Sequence, residues 1–266
     1  MLFRSSNLEE NECDLIFLID YFGFLSTDIR EFAEMERSKG KLIIYDATHA
    51  MFCENQDYMV FDYVFGSFRK WTGINAGFAA KHGKWVKKPV LKHNKEYEKL
   101  RNASFDLKEK YICNPDSVDK SEYLSCFQLA EEMLETDYQN YSPDVRSREL
   151  VNNLDVSRIR DLRRRNAEQL IMGLMSCKEL WLPYSSIKQD ECPLFIPAMI
   201  KTERNSIRKY LIDHSIYLPV HWPISSLHCL KTETRTIYDE EVSFVCDQRY
   251  DVEDMKHIVE VIKQND

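Results

Sequence analysis

The chain has 266 residues, 44% hydrophobic and 12% aromatic, with a formal net charge of −8. This composition supports one sizeable core or two modest ones and excludes disordered and collagen-like classes. The acidic balance argues against nucleic acid and anionic membrane as partners, because phosphate contacts need Lys and Arg clustered on one face.

Seven glycines and eight prolines are few for this length, which favours an α/β class over a loop-rich all-β fold. The eight cysteines show no C-x-x-C pair and no finger-like spacing. They read as reduced, mostly packing cysteines. The opening MLFRSSNLEENECD lacks an apolar leader core, and no run approaches the ~18 apolar residues needed to cross a bilayer. The expectation is a soluble, cytoplasmic protein.

In chain order, DLIFLID (Asp14 to Asp20) is a continuous apolar run bounded by acids, the pattern of a parallel strand covered on both faces. A helical stretch follows Asp28, with Ile29, Phe32 and Ala33 on one face and Gly40 where a residue just past a helix end is expected. KLIIYDAT (Lys41 to Thr48) is a second strand, so the opening is β-α-β, with parallel neighbours. A third strand is expected over Tyr63 to Phe68 and a short fourth over Gly77 to Ala80. Residues Trp85 to Pro115 are polar and weakly periodic and read as irregular.

Asp119 and Glu122 offer a capping box before Tyr123, Phe127, Ala130 and Leu134, an apolar stripe at helical spacing. One long helix is expected over Asp144 to Ser176, its arginine run (Arg158, Arg160, Arg163, Arg164, Arg165) forming a solvated face. The remainder reads as a small α+β unit: strands over Leu194 to Ile200, Ile216 to Val220 and Val242 to Cys246, a helix over Glu203 to Asp213, and a last helix capped by Asp251.

Chemistry concentrates at two strand ends. Asp46 ends LIIYD, and a carboxylate at the carboxyl end of a parallel strand needs a cationic partner; ligands of open α/β sheets gather at such ends. Ser67-Phe-Arg-Lys70 closes the third strand, and a lysine desolvated there acts as a nucleophile toward carbonyls. S-x-x-K also occurs in serine β-lactamases and penicillin-binding proteins, but no S-D-N or K-T-G accompanies it. Taken singly, Lys70 reads as a surface lysine and Asp46 as a helix or turn cap; taken together in a β-α-β context, they point to a site. His214, His221 and His228 fall seven apart, match no ligand motif and imply no metal. No P-loop, G-x-S-x-G or G-x-G-x-x-G is present.

YDATHAMF (Tyr45 to Phe52) followed by DYVFGSFRKWTGINAGFAA (Asp62 to Ala80) resembles the cofactor half of fold-type I pyridoxal 5'-phosphate (PLP) enzymes. It is most similar to the DegT-type branch that contains the sugar-nucleotide aminotransferases. The resemblance implies that Asp46 pairs with the pyridinium nitrogen, His49 lies near the phenolic oxygen, Thr48 lies close to the ring face, Ser67 contacts the phosphate and Lys70 is the Schiff-base lysine. RRRNAEQLIMGL (Arg163 to Leu174) and the stretch from Pro193 to Ile262 resemble the family's entry helix and small domain. His221 and Trp222 would then stand near the site's mouth. Arg249 would hold a substrate carboxylate or other anion, or equally cap the last helix beside Asp251.

The implied architecture is α/β: an incomplete PLP-transferase type I large domain over residues 1–160, with a mainly parallel sheet and helices on both faces, then a small α+β domain over 161–266. The implied reaction is amino-group transfer from an amino donor to a keto sugar nucleotide or small oxo acid, in a homodimer. The family's glycine- and Ser/Thr-rich phosphate-binding turn has no counterpart in the sequence. Weak cofactor binding is therefore expected, with the alternatives of a truncated, non-catalytic remnant or binding module of the same fold, or of a partner chain that supplies the missing part. Desulfuration or β-elimination would need a mobile catalytic cysteine, and Cys53 sits in no such loop.

Overall fold

The computed structural model describes residues 13–84, 91–137, 141–221, 224, 226 and 230–265. The chain divides into two compact units, Met1–Gly66 together with Asp155–Asp266, and Ser67–Leu154.

The first unit opens with β1 (Leu15–Ile19), α1 (Thr27–Ser38), β2 (Leu42–Asp46) and β3 (Tyr63–Ser67). The three strands are parallel neighbours, with Ile19 opposite Asp46 and Asp46 opposite Phe65. Asp28 lies in the first turn of α1 rather than before it. Gly40, at φ +90°, follows the helix and donates to the Arg37 carbonyl, the expected helix stop.

One sheet face is buried, through Ile16, Leu18, Ile43, Tyr45 and Val64. On the other, Leu15, Phe17 and Leu42 are 45%, 50% and 37% exposed. The run DLIFLID predicts cover on both faces; in this chain the strand alternates because the second face remains open to solvent.

The second unit holds β4 (Gly77–Lys81), α2 (Lys95–Cys113), α3 (Lys120–Thr136) and α4 (Val145–Asn152). The helix α2 corrects the irregular reading of Trp85 to Pro115; residues 85–90 lie outside the described residues. Its start is fixed by Asn94, whose side chain accepts from the Tyr97 N–H. Its buried face is Tyr97, Arg101 and Ser104, and Arg101 pairs with Glu131 of α3. A helix that buries a guanidinium and a hydroxyl has little hydropathy contrast, which is why its periodicity is weak. Asp119 caps α3 by accepting from the Ser121 N–H at 2.8 Å.

The long helix expected over Asp144 to Ser176 is two helices. Asp144 caps α4, and Asp155 starts α5 (Val156–Leu174) by accepting from the Arg158 N–H at 2.9 Å. Each aspartate satisfies an otherwise orphaned N–H, so the chain breaks at 153–155.

The first unit then resumes with β5 (Leu180–Trp181), β6 (Phe195–Ile200), α6 (Arg204–Asp213), α7 (Thr232–Glu240), β7 (Glu241–Val245) and α8 (Val252–Asn265). The sheet β5-β6-β7 is antiparallel throughout. The strand expected over Ile216 to Val220 is not formed. Ile216 and Leu218 are buried in the core, and the segment holds β7 by one backbone bond, from the Ser243 N–H to the Pro219 carbonyl. The third strand of this sheet is instead Leu180–Trp181.

The arginine run of α5 is only in part a solvated face: Arg158 and Arg165 are exposed, but the other three are not. Arg163 is only 2% exposed, Arg160 pairs with Glu54, and Arg164 donates to the carbonyls of Lys188, Gln189 and Glu191. Arg163 and Arg164 tie α5 to the segment before β6, and Arg160 ties it to the segment after β2. Each has five donors and can serve carbonyls that lack strand partners.

Candidate active site

Asp46 stands at the carboxyl end of β2, half-buried. Its Oδ1 accepts from the Thr48 N–H at 2.8 Å, and no described donor reaches its other oxygen. The next turn carries His49 inward to 5% exposure. There its Nδ1 accepts from the Phe22 N–H at 3.3 Å, which puts the proton of a neutral ring on Nε2.

Phe22 follows β1 with φ +60°, a left-handed conformation that a bulky side chain adopts only under compulsion. Such strain, about 1–3 kcal/mol, concentrates at ligand sites. Phe22 also packs between two histidines, with ring centroids 5.6 Å from His49 and 5.4 Å from His221. The structure thus brings Asp46, Thr48, His49 and His221 into one neighbourhood, with His49 and His221 centroids 6.4 Å apart.

His221 belongs to a chain of polar groups that sequence reading missed. Glu241, the first residue of β7, is 3% exposed. It accepts from the His221 backbone N–H at 3.1 Å and from the Ser243 hydroxyl. Because Ser243 spends its hydrogen on Glu241, its oxygen accepts from His221 Nδ1 at 3.1 Å, and the Nε2 of a neutral His221 is then an acceptor. Burial pushes the Glu241 carboxyl above its usual range; the bonds from Ser243 and His221 and the charge of Arg204 oppose the shift without cancelling it.

The sign of the linked stability follows. With the folded pKa above the unfolded one, the unfolded state ionises first as pH rises. Glu241 therefore costs the fold nothing below the usual value near 4.5, and its cost grows as pH climbs to the folded value. The stability difference between wild type and Glu241→Gln is expected to shift against wild type over that window, measured as urea midpoints from pH 4 to 7. A pH-independent difference would contradict the assignment.

Asp20, just after β1, is also buried, with its pKa raised by burial. It accepts from the Ser26 N–H, the Tyr45 hydroxyl and Arg30, so it holds the β1 turn in place.

Arg249 is already engaged: its guanidinium makes three bonds to the Asp247 carboxylate, the shortest 2.6 Å. Burial pushes the Asp247 carboxyl up, but the bonds and charge of Arg249 outweigh it and hold it low. The cap of α8 is Asp251, which accepts from Glu253 and Asp254 N–H groups.

Ser67 and Lys70 belong to the second unit. Lys70 ends a 3-10 turn (Phe68–Lys70) anchored by the buried Trp71. Its side chain is exposed and forms no ion pair with a described residue, so the desolvation expected from its place after the strand is not observed. Trp222 and His228 fall outside the described residues. Burial raises the Cys53 thiol, whose Sγ lies 3.3 Å from the Gly23 carbonyl, the opposite of what a thiolate nucleophile needs.

The fold is a parallel β-α-β opening with an acid at the carboxyl end of β2, followed by a helix leading into an antiparallel α+β unit. Three solved structures share it. The sugar aminotransferase CalS13 from Micromonospora echinospora matches at TM-score 0.60 and 14% identity, over 94% of this chain and 67% of that one. The putative sugar aminotransferase Spr1654 from Streptococcus pneumoniae, in its PMP form, matches at TM-score 0.60 and 13% identity, over 94% and 69%. The aminotransferase TlmJ from Streptoalloteichus hindustanus matches at TM-score 0.57 and 13% identity, over 94% and 65%. At these identities the likeness is one of fold, and the chain spans about two thirds of the length of these structures. No family model and no curated protein matches the sequence. Among the described residues, no helix is long and apolar enough to cross a membrane.

Proposed function

We propose that the chain is a PLP-dependent aminotransferase of the DegT type, acting from an amino donor to a keto sugar nucleotide or small oxo acid. The observation that carries the reading is Asp46. A half-buried carboxylate at a parallel strand's end, with one oxygen fixed by Thr48 and the other facing no described donor, fits a protonated heterocyclic nitrogen.

In this reading Asp46 would hold the ring nitrogen, Thr48 and His49 would flank the ring, Ser67 would meet the phosphate and Lys70 would bind covalently through Nζ. When bound, the cofactor supplies an electron sink beside the carbon that carries the amine. Asp46 would pair with the ring nitrogen through its carboxyl group. Lys70 Nζ, an exposed amine without a described ion partner, would move the proton at the reacting carbon. His221, bonded to Ser243, would face the substrate, and Arg249 would do so only when released from the Asp247 carboxylate that holds it.

Residues 1–160 serve as the cofactor part and 161–266 as the small domain. A homodimer is supported by the open apolar sheet face at Leu15, Phe17 and Leu42, and a cytoplasmic setting by the free thiols at the seven described cysteines.

The second reading, a non-catalytic binding module of the same fold, is favoured by the exposure of Lys70. Asp46→Ala separates the two. In the enzyme reading it weakens PLP binding about 10- to 100-fold, the value of a bond to a charged group, as measured by equilibrium dialysis. Unchanged affinity would favour the module.

A further inference from the structure

The first unit contains a cleft of about 200 Å³ between the turn after β1, the segment around Tyr184, β6 and α7. Its walls are largely apolar, with Phe22, Met199 and Ile237 among the lining side chains, and three tyrosines, Tyr21, Tyr184 and Tyr238, add aromatic rings with hydroxyl tips. Glu241 supplies a carboxyl group and His221 an imidazole. No lysine or arginine lines it among the described residues.

The electrostatics around it are acidic. The Tyr21 hydroxyl is pushed up by burial, then by Tyr238 and by the charge of Asp46. The Tyr184 hydroxyl is pushed up to about 12 by burial, then by Asp20 and Glu191. Arg30 and Lys188 offset Asp20 and Glu191 only in part, at 3.3 and 3.8 Å. Arg204 of α6 donates to the carbonyls of Tyr238 and Glu241 and does not line the cleft, though its charge still acts on the Glu241 carboxyl.

Ring faces carry negative charge density, so several aromatic rings beside a carboxylate attract a cation with an apolar body. An anion entering the same cleft would meet the Glu241 carboxyl group with no cationic side chain among the described lining residues. We propose that this cleft binds a primary amine carried on an apolar or aromatic body, its ammonium held at Glu241 and His221 and its ring among Tyr21, Tyr184 and Tyr238.

The binding itself does not depend on PLP. Assigning the ligand as the amino donor rests on the transaminase reading, and the donor class is then an apolar amine without a carboxylate.

The test is isothermal calorimetry on the full chain without PLP, using 2-phenylethylamine, the near-isosteric anion 3-phenylpropionate, and uridine diphosphate. The amine should bind at least about tenfold more tightly than either anion. Glu241→Gln should remove that preference, and Tyr238→Ala, checked for folding by circular dichroism, should weaken the amine about tenfold. Equal binding of the amine and 3-phenylpropionate, tighter binding of uridine diphosphate, no binding of the amine, or an unaltered preference in Glu241→Gln would each overturn the proposal. Amine binding that persists while PLP fails to attach at Lys70 would sink the transaminase reading and leave this one standing.

Discussion

Gly23→Ala is expected to lower the stability of the protein by about 3 kcal/mol or more, the sum of left-handed strain and overpacking. Gly23 sits at φ +83°, and a Cβ there would lie 1.9 Å from the Cys192 carbonyl oxygen and 2.8 Å from its carbon. The obstacle is backbone, which cannot rotate away. The turn is held by its neighbours, since the Leu194 N–H donates to the Phe22 carbonyl at 2.7 Å and the Phe22 N–H to His49. A displaced Gly23 would therefore move Tyr21 and Phe22, two walls of the cleft. Urea unfolding should show a large fall in midpoint, and the variant should lose affinity for 2-phenylethylamine in the fraction that folds. An unfolding free energy within ~0.5 kcal/mol of wild type, the range of an ordinary surface change, would mean that the turn is not packed as described.

Arg163→Ala should cost about 3 kcal/mol. Arg163 donates to Gln248 Oε1 at 2.8 Å and to the carbonyls of Pro193 and Leu194 at 3.4 and 3.1 Å. Burial holds its pKa below the usual arginine value, yet a guanidinium remains charged. Its removal leaves buried carbonyls without donors and opens a cavity, and a bond to a charged group is worth about 1.5–3 kcal/mol. Arg163→Lys should recover only part of the loss, because an ammonium is a point donor and cannot span both the glutamine and the carbonyls. Full recovery in urea unfolding would show that charge alone matters at this position.

The elements that sequence made legible are those whose burial follows hydropathy. LIFLI and LIIYD are strands because uninterrupted apolar runs of that length suit a parallel sheet, and Asp46 stands out because an acid closing such a run is out of place. The elements that escaped bury polar groups. Helix α2 hides Arg101 and Ser104, α5 hides Arg163, and both look solvated when charge is equated with exposure.

The cleft escaped for a different reason. Tyr21, Tyr184, His221 and Glu241 are far apart in sequence and meet only through the packing of the β1 turn on β6 and β7. The acid that defines it, Glu241, lies one residue outside the strand expected over Val242 to Cys246, and β7 includes it and buries it. The expected burial of Lys70 failed because a position just after a strand does not fix depth; the chain turns outward through Phe68–Lys70 while Trp71 takes the buried place.

The measurement that bears most directly on the central claim is borohydride reduction of the protein after incubation with PLP and dialysis, followed by peptide mapping by mass spectrometry. The account predicts a pyridoxyl group on Lys70, a visible absorbance band lost on reduction, and neither in Lys70→Ala. Label spread over several surface lysines, with Lys70→Ala indistinguishable from wild type, would contradict it.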